Sequence, residues 1–190
     1  MARNQSQVFT NRFGEDAPRW VVGAPQAQDA LRDLSLSEEE RVRRFNIWVS
    51  SYYSHKGLTL RNVDDLQRVP DSDPSARRST YEAMTPAEMT ETAFAPPSTG
   101  SELAYRNGGP AIFAERIRRA LFDDNLARKY WPRIGVDVVW GEKSIWVIVD
   151  AVWELQKARE KADRDEIAGR LLRFHMIPEA NHFVSDELTS

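Results

Sequence analysis

The chain carries three histidines and no cysteine. An imidazole takes up and releases a proton near neutral pH, so each histidine is a candidate base. His182 has the most suggestive setting. It lies in "IPEANHF", Ile177 to Phe183, in a predicted loop just past an apolar, strand-like run. Glu142, in "GEKS", lies just past another such run. In open parallel sheets ligands gather beyond the carboxyl ends of the strands, so these two loops are where chemistry is expected. Along the chain the carboxylate precedes the histidine. In a hydrolytic triad the acid orients the imidazole, and the imidazole takes a proton from the nucleophile. His182 and Glu142 are the candidate catalytic pair, set against the simpler readings of an ordinary loop histidine and a solvated turn glutamate beside Lys143, with Asp137 and Asp150 as lesser candidates for the acid.

The remaining groups have simpler readings. His175 falls inside the last strand, where a side chain bonded to its neighbours is expected. His55 sits in a polar turn with no second histidine or carboxylate at ligand spacing, so no metal site is expected. Neither is a cofactor. Ser50, Ser51 and Ser144 lack the strained strand-to-helix elbow that presents a nucleophile and read as helix-surface or capping hydroxyls. The Trp and Tyr residues read mostly as packing, with a few able to line an apolar pocket.

The elements that must position these groups change character along the chain. Residues 1–33 show no sustained period and suggest irregular structure. "SEEE" at Ser37 is a capping box that starts a helix, and Val42, Phe45, Trp48, Val49 and Tyr52 make its apolar stripe. The Arg-rich remainder of "SEEERVRR" reads as a solvated face with ion pairs. Pro, Asp and Ser between 56 and 80 signal loop. "MTPAEMTETAF" is a short helix capped by Thr85, with Pro86 first inside and Glu88 closing the box. Pro96, Pro97, Gly108 and Gly109 mark a linker. A third helix follows Pro110, with Ile112, Phe113, Ile117, Ala120 and Leu121 inward.

After residue 130 the pattern becomes strand, helix, strand. "IGVDVVW", Ile134 to Trp140, is short and β-branched, as a strand buried on both faces would be. The run from Ile145 is ambiguous at first and helical from about Val149, with Gly169 as a stop. "RLLRFHMI" is the second strand, ended by Pro178. Such a βαβ unit places its strands parallel in one sheet.

Bulk properties narrow the function classes. At 190 residues the chain can bury a sizeable core. A net charge of −3 gives no field that would attract nucleic acid or an anionic membrane. No segment approaches the ~20 apolar residues of a membrane span, and "MARNQSQVFTNRF" lacks the apolar centre of a signal peptide. A soluble, cytoplasmic chain is expected, with neither nucleic acid nor membrane as partner.

The stretch "WPRIGVDVVWGEKSIW", the helix after it and "GRLLRFHMIPEANHFV" resemble the last strand, helix, strand and histidine loop of an α/β-hydrolase-fold protein. "VVWGEKS" is similar to that family's acid-bearing strand end. "IPEANHFV" is similar to its Gly-x-x-His-Phe loop, with Glu179 and Asn181 where small residues or glycine are common. "RRALFDDNLARKYWP" and the helices before it resemble the cap inserted above such sites. The resemblance covers about sixty C-terminal residues well. It implies that His182 is the catalytic base. Ser144 stands where the family often has an aspartate, which leaves Glu142 or a residue elsewhere as the acid. The nucleophile elbow G-x-S-x-G occurs nowhere in the chain, and an HGGG-type oxyanion loop is missing too.

The expected architecture is α/β: a helical, cap-like region over residues 1–130, then a βαβ segment over 131–190 that belongs to an incomplete α/β-hydrolase-type parallel sheet. The implied activity is hydrolysis of an ester or related bond in a small-molecule substrate, silent in this chain alone for want of a nucleophile. The competing expectation is a non-enzymatic interaction module whose exposed sheet edge a partner protein covers.

Overall fold

The computed structural model describes residues 30–71, 77–92, 109–130 and 132–183. The segment before residue 30, Pro74, the linker residues Pro96, Pro97 and Gly108, and Trp131 lie outside the described residues.

Helix α1, Glu38–Ser50, begins where its capping chemistry says it should. The Ser37 hydroxyl accepts the Glu40 N–H at 3.2 Å, and three acidic residues face the positive helix end. Glu40 supports the helix differently from a box partner: its carboxylate receives Arg43 Nε at 2.8 Å and Arg44 Nε at 2.6 Å. Those two guanidinium groups hold the Glu40 carboxyl down at about 2. The apolar stripe buries Phe45 and Val49 against Leu31, with Val42 and Trp48 alongside. Ser50 and Ser51 depart from the expected surface role. Both are buried at the helix end, and their hydroxyls donate back to the Asn46 and Ile47 carbonyls, each at 2.6 Å.

Two 3₁₀ turns, Leu58–Leu60 and Val63–Asp65, shape the loop that follows. Helices α2, Thr80–Ala83, and α3, Pro86–Thr92, are short. At α3 the box is reciprocal: Thr85 N–H donates to Glu88 Oε2 at 2.7 Å, and Glu88 N–H to Thr85 Oγ1 at 3.3 Å. Helices α4, Pro110–Phe122, and α5, Asp124–Lys129, meet at Asp123, which caps α5 through the Leu126 N–H at 3.0 Å. Among the α4 residues whose burial is described, Phe113 and Leu121 are buried, with Ile117 between them at helical spacing, while Ile112 and Ala120 are exposed. The inward face is thus narrower than its apolar residues suggest.

Strand β1, Val136–Gly141, helix α6, Trp146–Arg164, and strand β2, Leu172–Ile177, form a parallel pair with a helical crossover. The register runs from Val136 opposite Leu172 to Gly141 opposite Ile177. The chain is α/β in class, with a small sheet that has two strands among the described residues. Helix α6 starts at Trp146, earlier than its β-branched opening suggests. Each Val or Ile loses at most ~0.7 kcal/mol of helix propensity relative to Ala. Burying such a side chain gains ~1.5–3 kcal/mol, so burial of Val147, Val149 and Val152 decides the matter. The helix ends at Arg164, ahead of Gly169. Gly169 instead has φ +50°, and a Cβ there would stand 2.8 Å from the Leu121 carbonyl oxygen. It lets the chain cross the end of α4, where Arg170 N–H donates to that same oxygen at 2.8 Å.

The main core joins Tyr53 and Leu66 to Trp140, Ile145, Trp146 and Trp153. Residues from both sides of position 131 therefore share it. Among the described residues no helix is long and apolar enough to cross a membrane.

Candidate functional site at the carboxyl ends of the strands

Because β1 and β2 are parallel neighbours, the loops after them emerge at the same end of the sheet. Glu142 lies in the first of these loops and His182 in the second. The two loops are joined. Glu142 N–H donates to the Ile177 carbonyl at 2.9 Å and Lys143 N–H to the Ala180 carbonyl at 2.8 Å. Glu179 N–H donates to Glu142 Oε2 at 3.0 Å, and Lys143 Nζ pairs with Glu179 at 2.7 Å. Glu179 adopts φ +60°, a left-handed conformation that a non-glycine residue takes at some cost. Gly141 is where the loops press closest: a Cβ there would fall inside van der Waals contact with the backbone of both Ala180 and Asn181.

Asn181 is fully buried. Its Nδ2 donates to the Ser50 carbonyl at 2.6 Å and to Thr80 Oγ1 at 2.8 Å, and its Oδ1 accepts the Phe183 N–H at 2.8 Å. His182 follows, half-buried, with its ring edge-on to Phe183 at 5.6 Å between centroids. Phe183 in turn packs against the Leu31, Phe45 and Val49 cluster of α1. The loop bearing His182 is therefore held by β1 on one side and by the α1–α2 region on the other.

The other candidates occupy different surroundings. Ser144 lies between β1 and α6 with its hydroxyl enclosed at 1% exposure and no hydrogen-bond partner among the described residues, so it presents no nucleophile. Asp150 is buried near the start of α6. Asp137 and His175 meet on the sheet face that bears the odd-numbered residues. Asp137 Oδ1 accepts Arg173 Nε at 2.6 Å and His175 Nε2 lies 2.7 Å from that oxygen. Arg173 first, and His175 second, hold the Asp137 carboxyl at about 2. His175 is bonded to a neighbour, as its place inside a strand suggests.

His55 is more enclosed than a polar turn implies. Its Nδ1 accepts the Gln67 N–H at 3.1 Å and its Nε2 lies 2.6 Å from the Ser144 carbonyl oxygen, so the neutral tautomer protonated on Nε2 satisfies both contacts. It stacks on Tyr53 with rings 5.9 Å apart. Burial lowers its pKa, and the Ser144 contact opposes the shift.

An open groove of about 850 Å³ runs along β2 and α6 beneath the Leu58–Leu60 turn. Trp140, Trp153, Phe174 and Met176 line it with apolar surface, and Arg61, Glu142 and Glu160 with charge. Arg61 and Glu160 pair at 2.8 Å. Among the described residues no cluster of three or more His, Asp or Glu has the arrangement of a metal site.

Comparison with protein families, with curated proteins and with solved structures finds no significant match to this chain.

Sequence reasoning missed the anchoring role of Asn181 and the bridge from His55 to Ser144. These contacts join residues 131 and 89 positions apart, respectively. The one local sign was composition: a polar, amide-bearing residue immediately before a candidate base, in a position where small residues would suffice.

Proposed function

We propose that the chain supplies the closing βαβ unit of an α/β-hydrolase-type catalytic site, with His182 as its general base and Glu142 as its strand-end carboxylate. The observation that supports this reading most is the joined pair of loops at the carboxyl end of the parallel strands, with one candidate residue in each. In such a site the imidazole takes the proton of a hydroxyl nucleophile as that oxygen attacks an ester carbonyl, then passes it to the departing alcohol. Glu142 contributes negative charge and also shapes the loop, because its Oε2 is engaged by the Glu179 amide.

The nucleophile of this reading lies outside residues 1–190, since no G-x-S-x-G elbow is present and the Ser144 hydroxyl is enclosed. Among the described residues β1 pairs only with β2, and this reading puts a further strand, from a preceding segment or a separate polypeptide, at its other edge. The substrate class is a small ester or a molecule with a related carbonyl bond.

Two arms test the reading. Alone, the chain is expected to hydrolyse p-nitrophenyl acetate no faster than buffer and to resist a fluorophosphonate probe. Co-expressed with a polypeptide translated from the DNA upstream of Met1, if it encodes a strand and a G-x-S-x-G turn, it should form a labelled complex that His182→Ala abolishes. Stoichiometric labelling of the isolated chain, or labelling of the complex that survives His182→Ala, sinks the proposal.

A further inference from the structure

We infer that Asn181 is a positioning residue for His182, through which α1 and α2 set the location of the imidazole. This rests on the reading of His182 as a base, but its physical content is the geometry of one ring. Asn181 makes three of its four possible side-chain hydrogen bonds, to two backbone groups and one side chain. Both Nδ2 protons are placed, on the Ser50 carbonyl at 2.6 Å and on Thr80 Oγ1 at 2.8 Å. The oxygen receives the Phe183 N–H at 2.8 Å. The amide orientation is fixed by these partners: turned over, its NH₂ would face the Phe183 N–H and its oxygen would face the Ser50 carbonyl.

The surrounding backbone leaves His182 little latitude. Ala180 and Asn181 on its N-terminal side are both fully buried. Phe183 on its other side is bound to Asn181 and packed on the α1 cluster. His182 itself remains half-exposed. A residue that must meet a substrate while holding a fixed direction needs such rigid flanks around an accessible ring. The anchor points are distant in sequence. Ser50 closes α1, and its hydroxyl also accepts the Tyr81 N–H of α2 at 3.1 Å, so α1, α2 and the histidine loop converge on one serine and one asparagine. Movement of the α1–α2 region would consequently be felt at His182.

The test reads the His182 Hε1–Cε1 cross-peak in the full-length chain by NMR, with His175, on the sheet, as the internal reference. Thr80→Val removes one acceptor of Asn181 at nearly constant volume. It is expected to displace or broaden the His182 peak and leave His175 in place, and Thr80→Ser, which keeps the hydroxyl, should restore the native peak. Asn181→Asp, which sets an acceptor against the Ser50 carbonyl, should collapse the His182 peak toward its unfolded position. If that variant does not fold, the Thr80 pair decides alone. A native His182 peak in folded Thr80→Val, or no rescue by Thr80→Ser, overturns the inference. The peak reports geometry and not turnover. Loss of the base reading in the labelling experiment therefore leaves this result standing, and an unmoved peak alongside His182-dependent labelling removes only the role of Asn181.

Discussion

Gly141 shows how one missing side chain shapes the whole strand end. The backbone carbonyls of Ala180 and Asn181 lie over its α-carbon so closely that no β-carbon fits between them. Backbone cannot swing aside as a long side chain can, and here it is also fixed by the Lys143–Ala180 hydrogen bond at 2.8 Å and by the buried Asn181 amide. Gly141→Ala therefore forces the histidine loop away from β1. Overpacking of this kind typically costs ~1–3 kcal/mol. The expected result is a lowered thermal midpoint together with a shifted His182 resonance; a variant as stable as the parent with an unmoved histidine would show that the loops do not press on each other here. The glycine was visible in the sequence as the end of a strand. Its reason was not, because the atoms that exclude a β-carbon belong to residues about forty positions later.

The elements legible in the sequence are those whose cause is local. Ser37 and Thr85 announce helix starts because a cap is a contact over three residues, and β-branched runs next to a strong helical pattern expose the βαβ order. The loop that carries the two 3₁₀ turns is held instead by a distant contact, the imidazole of His55 between Gln67 and Ser144. That contact carries a pH dependence of definite sign. His55 is neutral in the fold, and burial lowers its pKa from 6.5, so the unfolded chain binds the extra proton first as the solution is acidified. Its stabilising contribution is complete above pH ~6.5 and is lost as the pH falls from there toward the lower folded value. Denaturant unfolding from pH 8 to 5 should show parent stability declining below 6.5, and His55→Gln should be less stable at pH 8 by ~1–3 kcal/mol, with a flatter profile. Equal slopes in the two proteins would mean that His55 does not couple to folding.

At the scale of the molecule, two short parallel strands cannot enclose a core, because α6 covers one face of the sheet and the other carries the Asp137–Arg173–His175 cluster. The missing partner surface comes from upstream. Tyr53 and Leu66 complete the cluster built by Trp140, Ile145, Trp146 and Trp153, and Phe183 closes a second cluster with Leu31, Phe45 and Val49. A strand–helix–strand order is readable from periodicity, but which upstream side chains cover it is a matter of tertiary shape, to which periodicity is blind. These shared clusters predict that α1 and the loop after it fold together with the βαβ unit. Tryptophan fluorescence reports on the βαβ unit through Trp140, Trp146 and Trp153, with Trp48 of α1 among the other three tryptophans, whereas far-UV circular dichroism sums α1 and α4 with α6. Urea transitions followed by the two signals are expected to coincide, and Tyr53→Ala should move both midpoints together, by an amount near the ~3–5 kcal/mol lost when a large buried aromatic is truncated. Helix signal that melts before the tryptophan signal, or a Tyr53→Ala shift confined to one of them, would instead reveal two units folding independently and would deprive the strand-end loops of the upstream support that holds His182.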